Sequence, residues 1–279
     1  MVFLQFTLGV VLVVGLLVGD VLALILLMEC TMFLFLFLAY EYNSLNLSAP
    51  CVKYFYAQSL GSVLMFVAYF FYSAFFVGGE LLSNYIMFMG LSLKLGLFPV
   101  HFWVVPVCEE LPYFMLGILG VPMKILPLSF LLSLIKACGG NWLLYILIAS
   151  LSTMIVGMVL GLHSSTIRGV LGASSITHSG WFLVSSLTPY MITYFIFYAV
   201  SLGIVLIGLS EVKLLMVSFG LLGLSGLPPF LVFFGKLLVL YSYVWVDISL
   251  VFVVPMLFVS VFSMLYYLKY SFCFFLLQK

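Results

Sequence analysis

Charged residues are scarce in this sequence of 279 residues, since Asp, Glu, Lys and Arg together make up only 6% of it. A soluble globular domain is about a quarter charged and about half apolar, whereas this chain is 66% hydrophobic. Its net charge of +1 provides neither a basic surface for nucleic acid nor an acidic tail. The composition therefore excludes a soluble domain and a nucleic-acid-binding protein, and it predicts a membrane protein.

Clustered metal ligands are also lacking. The sequence contains no Cys-x-x-Cys pair and no closely spaced histidines; the cysteines and histidines are Cys30, Cys51, Cys108, Cys138, Cys273, His101, His163 and His178. Iron–sulfur, haem and zinc sites need ligands that are grouped at short spacings. We therefore expect no metal site and no cofactor in this chain, and we interpret the cysteines as small apolar residues.

Long apolar stretches separated by short polar breaks run through the whole sequence. A spanning helix needs about 20 mostly apolar residues, and the pattern predicts about ten helices, at 2–19, 21–40, 54–77, 81–98, 113–136, 141–161, 166–186, 190–209, 214–243 and 248–268. The breaks include Gly19-Asp20, Gly78-Gly79-Glu80, Gly139-Gly140-Asn141 and Asp247. No predicted loop is long enough for a soluble domain. The sequence thus predicts a single all-α, polytopic membrane domain over residues 1–279.

Glycine and proline interrupt two of the predicted helices. The fourth helix ends in Lys94-Leu95-Gly96-Leu97-Phe98-Pro99, and the ninth contains Ser225-Gly226-Leu227-Pro228-Pro229. These two helices hold the same place in order if the chain is divided into five-helix halves, 1–138 and 139–279. Interrupted helices at matching positions are typical of transporters built from inverted repeats. We therefore predict an antiporter-like fold of two inverted five-helix repeats, each with a broken helix.

Four ionisable residues lie inside the apolar stretches: Glu29, Lys94, Lys124 and Lys236. A charge at the centre of a bilayer costs roughly 2.5–3.5 kcal/mol on insertion scales. In a low dielectric a lysine gives up its proton more readily, so that near neutral pH it both takes and releases one, and a nearby carboxylate opposes that effect. We therefore predict a proton path, with Glu29 as the carboxylate partner of a lysine.

Helix-breaking prolines accompany the buried lysines. A proline has no N–H, so a carbonyl one turn earlier loses its helical partner and must find water or another donor inside a membrane. Such prolines lie on both sides of Lys124 and two turns before Lys236; they are Pro122, Pro127, Pro228 and Pro229. The freed carbonyls, among them that of Ser225, are expected to hold water or an ammonium group.

Hydroxyl and imidazole groups share one face of the seventh predicted helix, because Ser174, Ser175 and His178 are spaced at i, i+1 and i+4. Such a face can carry a water wire, and His178 is accordingly predicted to relay protons. An equal alternative is a structural histidine that only bonds a neighbouring helix. For Glu29 and the lysines, the alternative is a structural ion pair that moves nothing.

Several stretches of the sequence resemble one known family, in that family's order and over most of the chain. They are Lys53-Tyr54-Phe55 with Gln58-Ser59, Lys94 to Pro106, Lys124 to Pro127, Arg168 to Trp181, and Gly226 to Phe230 with Phe233 and Lys236. The most specific motifs are Lys-Leu-Gly with Pro-x-His-Phe-Trp, and Ser-Ser-Ile-x-His-x-Gly-Trp. In these motifs the sequence resembles the subunit 2 family of NADH:ubiquinone oxidoreductase (complex I). Its short, Phe- and Leu-rich form resembles a mitochondrially encoded invertebrate version, such as that of a nematode.

The resemblance implies an antiporter-like, proton-translocating subunit of that complex in the mitochondrial inner membrane. Its partners would be the other membrane-arm subunits and lipid, while NADH, FMN, iron–sulfur clusters and ubiquinone would be used by other subunits. By match of motif, the family's paired glutamate and lysine, connecting lysine, terminal lysine and central histidine fall on Glu29, Lys94, Lys124, Lys236 and His178. The residues around Glu29 match the family's sequence only loosely, so the assignment of Glu29 depends on its position in the helix.

Two other functions are compatible with the same features. An autonomous cation/proton antiporter of the related multi-subunit type shares the lysines and broken helices, and it exchanges sodium for protons without NADH. A scaffold that only joins membrane partners holds its buried charges in inert pairs. Co-migration with an NADH-oxidising assembly distinguishes the complex I function from the antiporter, and proton pumping by lysine variants distinguishes it from the scaffold.

Overall fold

The computed structural model describes residues 1–42, 47–74, 80–138, 142–245 and 250–277. Over these ranges it contains thirteen helices and no strand: α1 (Val2–Leu17), α2 (Val21–Glu41), α3 (Ser48–Ala74), α4 (Glu80–Leu95), α5 (Val104–Glu110), α6 (Tyr113–Gly120), α7 (Pro122–Cys138), α8 (Leu143–His163), α9 (Ile167–Ser185), α10 (Met191–Ser210), α11 (Leu214–Ser225), α12 (Leu231–Trp245) and α13 (Leu250–Leu276). The predicted breaks at Gly78-Gly79, at Gly139-Gly140-Asn141 and at Asp247 lie outside the described residues. The prediction of an all-α fold is confirmed.

Six helical segments within those ranges are long and apolar enough to cross a membrane: Val21–Glu41, Ser48–Ser73, Tyr113–Cys138 (which comprises α6 and α7), Leu143–His163, Met191–Ser210 and Val251–Leu276. Shorter apolar helices cover Val2–Leu17, Leu81–Leu95, Leu214–Ser225 and Leu231–Tyr243. Helix α9, which is rich in Ser, Thr and His, occupies the predicted segment 166–186. Each predicted segment therefore coincides with one helix or with a pair of helices, and the chain is polytopic.

Helix boundaries differ from the predictions where local chemistry allows a longer helix. Helix α3 begins at Ser48, six residues before the predicted start, although Pro50 lies in its first turn. A proline is tolerated there because the first N–H groups of a helix have no intrahelical acceptor. Helix α13 continues to Leu276, since the exposed Lys269 does not interrupt it.

Two helix breaks have the same local sequence, Gly-Leu-x-Pro. Gly96 follows α4 and Gly226 follows α11, and both adopt left-handed backbone with φ of 68° and 79°. A residue with a Cβ is strained in this region, which explains glycine at both sites. Pro99 and Pro229 follow three residues later and stop the helix from continuing. The four-residue likeness supports the proposal of two repeated halves, whose boundary at residues 138 and 139 borders a segment outside the described residues.

A third break divides the predicted fifth helix. Helix α6 ends at Gly120 and α7 begins at Pro122, so that Val121 separates them. Proline is favoured at the first position of a helix, where its missing N–H costs nothing. Pro127 was predicted as a helix-breaking residue, but α7 continues through it from Pro122 to Cys138.

Helix α9 is the most enclosed element, because every residue from 169 to 185 is buried. Small residues allow α8 to approach it closely: a Cβ added at Gly157 would lie 2.7 Å from the backbone nitrogen of Thr177, and one at Gly180 would lie 2.9 Å from the carbonyl oxygen of Ser150. Close backbone approach through small residues is typical of helix pairs in membranes. The fold therefore places the Ser- and His-bearing helix in the interior.

Candidate functional site

The first charged contact joins α2 to α4. Nζ of Lys94 donates to Oε1 of Glu29 at 2.9 Å. The side chain of Lys94 is 2% exposed and that of Glu29 is 19% exposed. Lys94 lies in the last turn of α4, directly before the break at Gly96. An enclosed ammonium thus depends on a carboxylate that is itself more accessible.

The carbonyls at the end of α4 are bonded by side chains of other elements. The pairs are Trp103 Nε1 with the carbonyl of Leu93 at 3.0 Å, Gln58 Nε2 with that of Lys94 at 3.4 Å, and Ser179 Oγ with that of Leu95 at 3.2 Å. A buried carbonyl in an apolar environment needs such a donor. These three donors were not among the predicted site residues, although each lies in one of the stretches that resemble the family.

Lys124 is held by neutral groups of α9. Its Nζ donates to the carbonyl oxygen of Ser175 at 3.1 Å, to Oγ of Ser175 at 2.9 Å and to Oγ of Ser179 at 3.0 Å. The rings of Phe182 and Tyr198 lie 5.8 and 5.7 Å from the ammonium. No carboxylate in the described ranges pairs with Lys124. Its charge is therefore compensated by dipoles and aromatic faces alone.

Ser179 connects the first break to Lys124. Its hydroxyl lies 2.8 Å from the carbonyl oxygen of Ser175 and 3.2 Å from that of Leu95, two acceptors for its one proton, and it accepts from Nζ of Lys124 at 3.0 Å. The carbonyl of Leu95 belongs to the residue next to Lys94. Ser179 thus connects the end of α4, where Lys94 pairs with Glu29, to Lys124. The helical i+4 spacing from Ser175 to Ser179 was the signal that the sequence offered for this residue.

The imidazole of His178 lies between two tyrosine hydroxyls. Nδ1 is 2.7 Å from the hydroxyl of Tyr194, and Nε2 is 3.4 Å from that of Tyr267. Ser174 and Ser175 were predicted to share a helix face with His178. In the structure, the hydroxyl of Ser175 accepts from Lys124, and that of Ser174 donates to the carbonyl of Leu171 in its own helix. A water wire along this face remains a prediction.

Lys236 bonds a carbonyl of the second break. Its Nζ donates to the carbonyl oxygen of Ser225 at 3.2 Å, and the ring of Trp181 lies 5.5 Å from the ammonium. The prolines that follow Ser225 leave this carbonyl without its usual helical donor. Gly226 permits the close approach, since a Cβ there would lie 2.9 Å from Nζ. Lys236 is buried, so its ammonium faces a carbonyl dipole and an aromatic ring.

Within the described ranges, no group of three or more His, Cys, Asp or Glu residues is placed to hold a metal ion. A cavity of about 580 Å³ lies between α1, α2, α3, α4 and α7. Its lining includes Ala68, Met87 and Ser133, but none of Glu29, Lys94, Lys124, His178 or Lys236. The predicted ionisable residues are therefore arranged along packed helices, away from this cavity.

The sequence also matches a known family and several known proteins. The family described as NADH:quinone oxidoreductase/Mrp antiporter, TM, matches residues 18–216. NADH-ubiquinone oxidoreductase chain 2 of Albinaria caerulea is 36% identical over 230 residues, which cover 82% of this chain and 74% of that protein. The protein of the same name from Mytilus edulis is 33% identical over 202 residues, which cover 68% of this chain and 61% of that protein.

Solved structures share the fold. A chain of respiratory complex I from Thermus thermophilus superposes with a TM-score of 0.81 at 21% identity, covering 97% of this chain and 70% of that one. A chain of the Mrp complex from Dietzia sp. DQ12-45-1b gives a TM-score of 0.76 at 18% identity, covering 94% of this chain and 59% of that one. Because the family match spans more than half of the sequence and the Albinaria protein is 36% identical over most of it, this chain belongs to the NADH:quinone oxidoreductase/Mrp antiporter transmembrane family.

Proposed function

We propose that this chain is an antiporter-like subunit in the membrane arm of a respiratory NADH:ubiquinone oxidoreductase, and that it translocates protons. One observation carries the proposal: buried ionisable groups with polar partners lie at the first broken helix, on the enclosed α9 and at the second broken helix. Buried charges are costly in a membrane, and such groups usually mark an ion or proton path. The likeness to chain 2 proteins supports the choice of complex.

Loading begins at the pair of Glu29 and Lys94. The carboxylate stabilises the ammonium of Lys94 while that lysine takes up a proton from the inner side. Separation of the pair leaves a buried charge without compensation, which favours release of the proton. A change in the position of α2 relative to α4 would therefore discharge Lys94.

Transfer continues through Ser179 to Lys124, then by way of His178 to Lys236. The hydroxyl of Ser179 can accept and donate in turn, and it already contacts Lys124 and the carbonyl beside Lys94. Lys236 lies at the second break, where the carbonyl of Ser225 receives its ammonium. Lys236 then discharges to the outer side of the membrane.

Energy for this transfer comes from quinone reduction elsewhere in the complex. NADH, FMN, iron–sulfur clusters and ubiquinone act in other subunits, so this chain contributes to the enzyme without a complete active site of its own. Its location is the mitochondrial inner membrane, which it crosses several times. The partners are other membrane-arm subunits and lipid, and nucleic acid is not among them.

The test is to solubilise native membranes gently, separate the complexes by size and identify the band that contains this chain. We expect it only in a very large assembly that oxidises NADH and reduces quinone. If the chain migrates alone or in a small complex without NADH oxidation, the proposal is wrong. The likeness to the Mrp complex then favours an autonomous cation/proton antiporter, for which sodium-driven proton flux is the assay.

A further inference from the structure

Three helices meet at the imidazole of His178. The ring belongs to α9, the hydroxyl of Tyr194 on α10 lies 2.7 Å from Nδ1, and the hydroxyl of Tyr267 on α13 lies 3.4 Å from Nε2. All three side chains are buried. Each ring nitrogen therefore faces a hydroxyl that comes from a separate helix, with no exposure to solvent that would offer an alternative partner.

Hydroxyl groups suit a histidine that changes its protonation. A carbonyl or carboxylate oxygen only accepts a hydrogen bond, so it holds the neighbouring ring nitrogen in its protonated form. A tyrosine hydroxyl both donates and accepts. With a hydroxyl at each nitrogen, either neutral tautomer and the imidazolium keep both hydrogen bonds after rotation of the O–H groups alone. The ring can thus gain and lose a proton without moving.

The surroundings of His178 supply proton carriers. On the same helix, Ser175 and Ser179 bond Lys124, while the ring of Trp181 lies 5.5 Å from Nζ of Lys236. The titratable groups in contact with the imidazole are Tyr194 and Tyr198 of α10 and Tyr267 of α13. Lys124 of α7 and Lys236 of α12 act on it electrostatically. Within the described ranges, no carboxylate contacts the ring.

We propose that Tyr194 and Tyr267 are positioning residues for His178, which they hold so that it passes a proton from Lys124 to Lys236. The inference rests on the proposed function, because it presupposes that protons move along these lysines. The hydroxyl on one side donates its proton to the ring nitrogen that it faces and takes up another from the side of Lys124. The other ring nitrogen gives its proton to the opposite hydroxyl, which passes its own on towards Lys236. The imidazole is left neutral in its other tautomer, and rotation of the two hydroxyls restores the hydrogen bonds.

The experiment replaces each tyrosine by phenylalanine in the complete complex in native membranes. Tyr194→Phe keeps the ring, whose centroid lies 5.4 Å from that of Phe182, and removes only the hydroxyl. Protons translocated per NADH oxidised are measured across a range of pH for Tyr194→Phe, Tyr267→Phe and the double variant. The ratio is taken per assembled complex, so that reduced assembly does not obscure it.

Tyr243→Phe is the matched control. Tyr243 is also buried, and its hydroxyl donates to the carbonyl oxygen of Val184 at 2.9 Å, but it does not touch His178. This variant loses a buried hydrogen bond of the same kind and measures the purely structural effect. Lys236→Met is included as a test of the proposed function itself.

We expect proton transfer to slow by about tenfold in Tyr194→Phe, as loss of one buried hydrogen bond implies, and by more in the double variant. The pH at which the proton-to-NADH ratio is half-maximal should move in these variants and stay in place in Tyr243→Phe. If the tyrosine variants match Tyr243→Phe in ratio and pH profile while Lys236→Met fails to pump, the proposed function stands and this inference is wrong. If Lys236→Met pumps normally, both are wrong.

Discussion

Buried lysines in this protein differ in what compensates their charge. Lys94 has a carboxylate at 2.9 Å, Lys124 has two serines and a carbonyl, and Lys236 has one carbonyl and an indole ring. Pairing with a carboxylate favours the charged form most strongly, and dipoles favour it less. Lys94 is therefore the lysine whose surroundings change most when its partner moves away, and separation from Glu29 is the step that would let it pass its proton on.

Replacement of Lys236 by Met should stop proton transfer without loss of assembly. Met keeps the length and the apolar stem of the side chain and removes the ammonium, which leaves the carbonyl of Ser225 without this donor at a cost of about 1–3 kcal/mol. Removal of a costly buried charge offsets part of that loss. Protons pumped per NADH oxidised should fall, or turnover should stall.

Lys269→Met is the control for that variant, since Lys269 is exposed on α13 and lies over the ring of Tyr270. It should pump normally. Normal pumping by an assembled Lys236→Met complex would show that this lysine carries no protons.

The pair of Glu29 and Lys94 allows a double-variant test. Glu29→Gln leaves the buried ammonium unpaired, which costs about 3–5 kcal/mol, so the assembled complex should melt at a lower temperature. Glu29→Gln combined with Lys94→Met removes both charges and should recover much of that stability, still without pumping. Thermal melting of the purified complex measures the effect. Equal melting temperatures of the single and double variants would contradict the pairing.

At the scale of elements, the broken helices determine where carbonyls are free. A continuous helix offers no acceptor in its middle, whereas the breaks after α4 and α11 expose carbonyls to Gln58, Trp103, Ser179 and Lys236. The left-handed glycines at residues 96 and 226 end α4 and α11, each beside a buried lysine. Backbone geometry thus places the acceptors, and the side chains of neighbouring helices supply the donors.

Gly226→Ala should destabilise the second break. A Cβ in left-handed backbone costs about 1–2 kcal/mol, and here it would also lie 2.9 Å from Nζ of Lys236. We expect a lower melting temperature of the complex together with reduced pumping, because the ammonium must move. Gly203→Ala in α10 has no atom within 4 Å of the added Cβ and should be neutral or stabilising. Similar behaviour of the two variants would refute the role of the break.

On the scale of the whole molecule, Ser179 joins the helices of the first part of the chain to α9 of the second. Its hydroxyl contacts the end of α4 through Leu95 and the lysine of α7 through Nζ. The buried α9 is therefore the element through which a shift of the first broken helix can reach Lys124. Ser175 also bonds Lys124, but of the two serines only Ser179 contacts the end of α4 as well.

Ser179→Ala should consequently uncouple the two parts of the path. Lys124 keeps its bonds to Ser175, so assembly should persist, while proton transfer slows by about tenfold for the loss of its hydrogen bond to Ser179. The measurement is the proton-to-NADH ratio at matched rates of NADH oxidation. Ser271→Ala is the control, because Ser271 is buried but bonds only the carbonyl of Leu268 on its own helix. An unchanged ratio in Ser179→Ala would exclude this hydroxyl from the path.

The amino-acid sequence was enough to predict the all-α polytopic fold, the helix breaks at Gly96 and Gly226, and the set of ionisable residues inside the apolar stretches. These features are local: an apolar stretch, a glycine followed by a proline, or a charge within such a stretch has the same consequence whatever surrounds it. The predicted helix ends were wrong where a proline or a lysine is compatible with a longer helix, as at Pro50 and Lys269, and where α4 ends at Leu95, three residues before the predicted end. The short helix α5 was not predicted, and neither was the interruption at Val121.

Which polar groups form hydrogen bonds with one another depends on the tertiary structure. Ser174 and Ser179 are both buried serines of α9 whose hydroxyls bond a carbonyl of their own helix, yet only that of Ser179 also contacts Lys124 and Leu95. Tyr194 and Tyr267 are 73 residues apart in the sequence and still meet at one imidazole. The physical reason is that a hydroxyl bonds whatever lies within about 3 Å, and that neighbour is set by how helices pack rather than by which residues adjoin it in the chain.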